Sequence, residues 1–287
     1  MNLIYSIIIS SLILISCSIQ KHDLPIDLKE VSGIEQISKD LYVSINDSGD
    51  GPFLYFLNSA GAIIHKMYVS GANNIDWEDI TYDGKYVYVG DIGNNLNQRR
   101  DLVIYQIAID TTIRMAYEGN DSGLRLRDTT EAIKYTYSYP DQENFPPTKD
   151  QLNFDSEALT FVEGKIIILS KSRTKPFNGI CKIYECEFAN ENISIKLSQT
   201  IRLKGASWLT ASATGCDYSN QMLYVLTYKR IYAFEKTEIG YRFVKKKNLG
   251  RLQQWEGICV EPNQELRIVA EKSRLGKQKM KTFKLWE

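Results

Sequence analysis

Histidine is almost missing from this chain: His22 and His65 are the only two in 287 residues. Two such residues, one in a polar N-terminal stretch and one on an expected outer strand, argue against a His-rich zinc centre and against a Ser-His-Asp relay. An excess of either charge is also missing, with 35 basic and 35 acidic side chains and a formal net charge of zero. Proteins that hold nucleic acid usually carry a basic surplus, so no nucleic-acid partner is expected. There is no G-x-x-x-x-G-K-[ST] phosphate cradle and no C-x-x-C pair. No long stretch has helical period, apart from the N-terminus. Any enzyme built on this chain would work with carboxylates, lysine or a metal-bound water.

The only long apolar run is Leu3 to Ile15. It is too short to cross a bilayer and fits the core of a secretory signal. It ends in Leu14-Ile15-Ser16-Cys17, which resembles a bacterial lipobox. That resemblance implies a lipidated Cys17 and a mature chain tethered to the bacterial cell envelope on its extracytoplasmic side, in the periplasm or at the cell surface. Several acyl chains on one cysteine would hold it there stably. The other four cysteines, Cys181, Cys186, Cys216 and Cys259, read as small buried hydrophobes. Cys181 and Cys186 lie five apart on one expected strand, so they face opposite sides and cannot bridge.

What the chain does have is β structure in repeats. It holds 18 Tyr, is rich in Ile and Val, and breaks at short polar turns. The stretch Ile75 to Asn95 shows the unit: a strand opened by a carboxylate, a tight turn, and a strand closed by another. Degenerate copies begin at Ser32, Glu78, Glu157, Thr214 and Glu256, with spacings of 46, 79, 57 and 42. Periods near 40–50 residues with four strands each are those of propeller blades. The longest spacing is explained by polar insertions at 110–129 and 140–153.

The expected fold is therefore all-β, one β-propeller over residues 26–287, after a signal at 1–17 and a tether at 18–25. Five four-stranded blades fit, with Ile26–Glu30 supplying the strand that completes the last blade beside Met280–Trp286. Six blades are the alternative, the sixth drawn from 110–153. Closure of this kind removes an open sheet edge, and the protein is expected to be a monomer.

Ser32-Gly33-Ile34 with Asn46-Asp47-Ser48-Gly49, Asp76-Trp77-Glu78-Asp79-Ile80 with Gly90-Asp91-Ile92-Gly93-Asn94, Asp155-Ser156-Glu157-Ala158-Leu159, Thr214-Gly215 and Glu256-Gly257-Ile258 together resemble an uncharacterised family of bacterial secreted or lipoprotein β-propellers. The resemblance spans about residues 31–274 and departs at Ile45, where that family often has His. More loosely, the Asp-x-Glu repeats resemble calcium-dependent propellers of the gluconolactonase-like and phytase-like kinds, a likeness of fold rather than of site.

In a propeller the residues that open the first strand and close the second meet at one mouth of the central channel. Here these are Glu78, Glu157 and Glu256, the candidate metal ligands, with Ser32 and Thr214 at equivalent positions. Asn46, Asp47, Asp91, Lys171, Tyr228 and Glu271 join them as candidate ligand-binding residues. Crowded carboxylates repel unless something neutralises them, and Ca²⁺ is a suitable cation. The competing reading is structural: these acids bond backbone groups or pair with Lys171 and Lys272. Arg99, Arg100, Arg173, Lys175, Lys229, Arg230, Arg274, Lys277 and Lys279 would ring the mouth, and loop 140–153 would serve as a lid or a linker. Two functions are open at this stage. One is an anchored propeller that binds a small-molecule or protein ligand at an acidic mouth. The other is a metal-assisted hydrolase of an ester, lactone or phosphoester.

Overall fold

The computed structural model describes residues 19–109, 127–189 and 192–285. The signal segment with Cys17 and most of the 110–129 insertion lie outside these residues. Among the described residues no helix is long and apolar enough to cross a membrane.

Among the described residues, twenty strands form four sheets. β1 (Gln20–Asp23) comes first, followed by the meander β2 (Val31–Ser38), β3 (Leu41–Asn46), β4 (Phe53–Asn58) and β5 (Ile63–Ser70). The next meander is β6 (Trp77–Tyr82), β7 (Tyr86–Asp91), β8 (Leu102–Ala108) and β9 (Thr129–Tyr137). These two share one eight-stranded sheet, because the outer strands β5 and β9 pair in parallel over Tyr68–Ser70. β10 (Asp155–Val162), β11 (Lys165–Lys171), β12 (Ile180–Ala189) and β13 (Asn192–Arg202) form a separate sheet, as do β14 (Gly215–Ser219), β15 (Met222–Leu226), β16 (Arg230–Thr237) and β17 (Gly240–Asn248). The last sheet has β18 (Trp255–Val260), β19 (Glu265–Ala270) and β20 (Lys279–Lys284), with β1 on its outer edge.

The inner strands pack in a ring, β2 on β6, β6 on β10, β10 on β14, β14 on β18, and β18 back on β2. This is a propeller arrangement, and it explains the burial pattern. Inner and second strands are buried on both faces, as in β3 and β18, where every residue is buried. Outer strands alternate or are largely exposed, as in β13 and β17. The core lies between adjacent sheets. Trp77 is fully buried against β8, its ring 5.9 Å from that of Tyr105. Cys181 and Cys186 enter different cores across the sheet, and all four described cysteines are free and buried.

The closing strand is not the one expected. Ile26–Leu28 is a 3-10 turn, with Leu28 N–H bonded to Pro25 C=O at 3.0 Å and Lys29 N–H to Ile26 C=O at 3.1 Å. Only Leu28 of that turn is buried. Pro25, at φ −55° and ψ 153°, precedes the turn and has no N–H to give to a sheet ladder. The segment that pairs with β20 is Gln20–Asp23, within the stretch expected to be a tether. An outermost strand needs no apolar face, so Gln-Lys-His-Asp carries none of the pattern that marks a strand. Among the described residues of 110–153, β9 is the one strand, and it belongs to the second meander.

Candidate functional site

Four of the five inner strands open with a local irregularity that sets the site. The ladder between first and second strands slips between Val31 and Gly33, Trp77 and Asp79, Ser156 and Ala158, and Trp255 and Gly257. The skipped residues are Ser32, Glu78, Glu157 and Glu256. A bulge leaves its extra residue unpaired and re-aims its side chain. Thr214 lies just before β14 and serves the same position without a bulge.

The five equivalent residues then divide into two roles. Ser32 Oγ donates to the Glu78 carbonyl and Thr214 Oγ1 donates to the Trp255 carbonyl at 2.6 Å, stapling adjacent inner strands. Strands come this close because glycine follows the bulge: a Cβ on Gly257 would lie 2.9 Å from the Ser32 carbonyl oxygen. The three glutamates have electrostatic roles instead. Glu157 forms a buried ion pair with Lys171 and accepts from Arg173 Nη2 at 2.9 Å. Lys171 Nζ also lies 3.5 Å from the Tyr228 hydroxyl. Glu256 is hydrogen-bonded to Tyr228, and its carboxyl sits well above the usual range because of burial, despite Lys171. Glu78 is buried and has no ion pair among the described residues. Its carboxyl is pushed well above the usual range by burial and then by Glu157, Asp47, Asp76 and Asp155.

The company Glu78 keeps is acidic. Carboxylate oxygens of Asp47, Asp76 and Glu78 all lie within 4.8 Å of one another. Burial, then Asp47 and Asp155, lift Asp76 to about 7. Gly93 gives the cluster its room, since a Cβ there would fall 2.3 Å from Asp76 Oδ2 and 2.4 Å from Glu78 Oε1. Asp91 binds Arg99 at 2.8 Å and accepts the Asp76 N–H at 3.1 Å through Oδ1, while its buried Oδ2 has no partner among the described residues. Asn46 donates to the Asp27 carbonyl at 2.7 Å and to Asp50 at 2.8 Å, and its Oδ1 is likewise buried without a partner among them. Glu271, bonded to Gln254, is raised to about 7 by burial and then by Glu30, Asp47 and Glu157. The residues chosen from sequence thus meet at one end of the ring, through contacts or mutual charge effects.

Sequence reasoning missed three participants. Asp76 sits in the quoted motif but outside the strand-opening position, one residue before β6 begins. Asp155 opens β10 and is fully buried, bonded to Arg173 Nε at 2.6 Å and to the Asn94 N–H at 2.8 Å. Arg173 was assigned to the rim, yet it folds inward onto Asp155 and Glu157 and lies 5.4 Å from the Trp208 ring. Arg99 turns inward in the same way onto Asp91. Loop 140–153 is fastened across this end, with Gln142 donating to the Asn97 carbonyl at 2.9 Å and Lys175 N–H to Lys149 C=O at 2.8 Å.

No family model matches the chain, and no curated protein matches it. Solved structures similar to it include Myxococcus xanthus glutaminyl cyclase, 12% identical over 92% of this chain and 93% of that one, with a TM-score of 0.49. The PQQ-bound aldose sugar dehydrogenase of Streptomyces coelicolor is 9% identical over 93% and 98%, also with a TM-score of 0.49. A luciferin-regenerating enzyme is 10% identical over 93% and 96%, with a TM-score of 0.42.

Proposed function

We propose that this protein is an envelope lipoprotein whose five-bladed propeller binds a ligand at the acidic mouth through a hard divalent cation, with Ca²⁺ the best candidate. The observation that carries the reading is the Asp47–Asp76–Glu78 cluster, whose oxygens lie within 4.8 Å of one another. Ligands about 2.3–2.6 Å from a Ca²⁺ ion fall within such a spacing of each other. Without a cation these acids must share protons to coexist. A cation would replace those protons, and Gly93 leaves it space. Glu157, whose charge still acts on Glu78, is already paired with Lys171 and Arg173. An anionic group on the ligand would bridge the cation and the Arg173 side, where Trp208 offers a ring that is 41% exposed. Five blades are supported by the five inner strands in the ring, and anchoring by Cys17 at the end of the apolar run.

Thermal melting with and without Ca²⁺ tests the binding reading. Free Ca²⁺ at 100 times Kd should stabilise the fold by about 2.7 kcal/mol. Asp76→Asn with Glu78→Gln should abolish that gain, and a wild-type melting temperature unmoved between EDTA and saturating Ca²⁺ would reject the site. Turnover of an ester, lactone or phosphoester that needs the added metal would instead favour the hydrolase reading. Palmitate labelling in a bacterium that is lost in Cys17→Ala tests the anchor, and unchanged labelling would sink it.

A further inference from the structure

Away from the acidic mouth, a cavity of about 350 Å³ opens at the side of the last sheet. It lies between the loop entering β18, the β19–β20 loop and the β1–β20 edge. Its charged lining is entirely basic: Lys21, Arg251, Lys279 and Lys281. The remainder is Gln253, Trp255 and leucines. Among the described residues no acid lines it, and none of the four cations is in an ion pair. The nearest acid by register is Asp23, opposite Lys279 on β1.

Two buried groups make this more than a charged surface. Gln253 and Trp255 are each 5% exposed, and Gln253 Nε2 and Trp255 Nε1 are buried with no hydrogen-bond partner among the described residues. Unmet buried donors are costly, and native proteins rarely keep them without a reason. Here two of them share one cavity with four cations. Lys281 shows the strain of that crowding: burial and then Lys21, Lys247 and Lys279 hold its ammonium below the usual lysine range. An anion in the cavity would remove both defects at once. It would accept from the two unpaired N–H donors and neutralise the repelling ammonium groups.

We propose that this cavity is an oxyanion site for a phosphate or phosphate-ester group, held by Lys21, Arg251, Lys279 and Lys281, with Gln253 and Trp255 donating to its oxygens. The site is separate from the acidic mouth and stands without it. Inorganic phosphate and an anionic lipid headgroup present the same chemistry. β1 begins three positions after Cys17, so a headgroup is within reach of an anchored chain.

The test titrates the full chain in detergent at constant ionic strength, so that general screening is held fixed. The probes are inorganic phosphate, short-chain phosphatidic acid, and short-chain phosphatidylcholine as the zwitterionic control. Tryptophan emission and melting temperature are read. Phosphate should give a saturable response, with affinity at least about tenfold weaker in Lys279→Gln/Lys281→Gln, a loss of about 1.4 kcal/mol. Without phosphate this variant should melt at or above the wild-type temperature, because repulsion is relieved. Tighter binding of phosphatidic acid than of phosphate identifies a headgroup as the source, and equal affinity identifies a free anion. The proposal falls if neither anionic probe saturates the wild type by about 20 mM, if the variant binds like wild type, or if it melts lower before any anion is added.

Discussion

Asp79 offers the sharpest test of how the ring holds together. Inner strands have no neighbour on their channel side, so their N–H groups there need other acceptors. Asp79 is 1% exposed and supplies them across three strands. Its Oδ2 accepts the Leu159 N–H of β10 at 3.0 Å and the Cys216 N–H of β14 at 3.3 Å, and Oδ1 accepts its own neighbour Ile80 N–H at 2.9 Å. Asp79→Ala would orphan the two inter-strand donors, at about 1–3 kcal/mol each. The carboxyl itself is disfavoured by burial, which offsets part of that loss. The net expectation is a destabilisation of about 3 kcal/mol, with Asp79→Asn losing about half as much because one acceptor oxygen remains. Urea unfolding followed by tryptophan fluorescence and far-UV circular dichroism measures both. An Asp79→Ala protein within about 0.5 kcal/mol of wild type would refute the bridging role, since ordinary surface substitutions fall in that range.

The opposite end of the ring predicts a pH dependence. Asp217 is raised to about 6 by burial, and Glu35 and Asp79 are raised in the same direction by burial with Asp217 nearby. A raised carboxyl binds protons in the native state that the unfolded chain has already released, so its stability contribution is full below about pH 4 and is lost as pH rises through 6. Melting temperature in EDTA should therefore fall from pH 5 to 7.5, and a rise over that range would contradict the assignment. At the chain's edge, a protein starting at Gln20 should fold like the longer chain. One starting at Leu24 should lose about 2–4 kcal/mol of pairing with β20 and aggregate through the bared edge, as read by unfolding and light scattering. Equal stability of the two would show that β1 does not close the last sheet.

The sequence by itself determined the repeat, and through it most of the strands. Tight turns such as Glu163-Gly164 and apolar runs such as Leu41–Ile45 are local signals, and strands β11 and β3 form at these places. It also marked which positions open each inner strand, because they lie six or seven residues before the turn. Tertiary structure decided the rest. The closing strand moved from Ile26–Glu30 to Gln20–Asp23, since an outer edge is chosen by which backbone reaches β20 and not by side-chain pattern. The same holds for charge partners. Glu78, Glu157 and Glu256 are equivalent in the repeat, yet Lys171 and Arg173 form ion pairs with the second, Tyr228 bonds the third, and Asp47 and Asp76 crowd the first. Local spacing places a side chain at the mouth. What it meets there comes from loops far away in the chain, and only the closed ring brings those loops together.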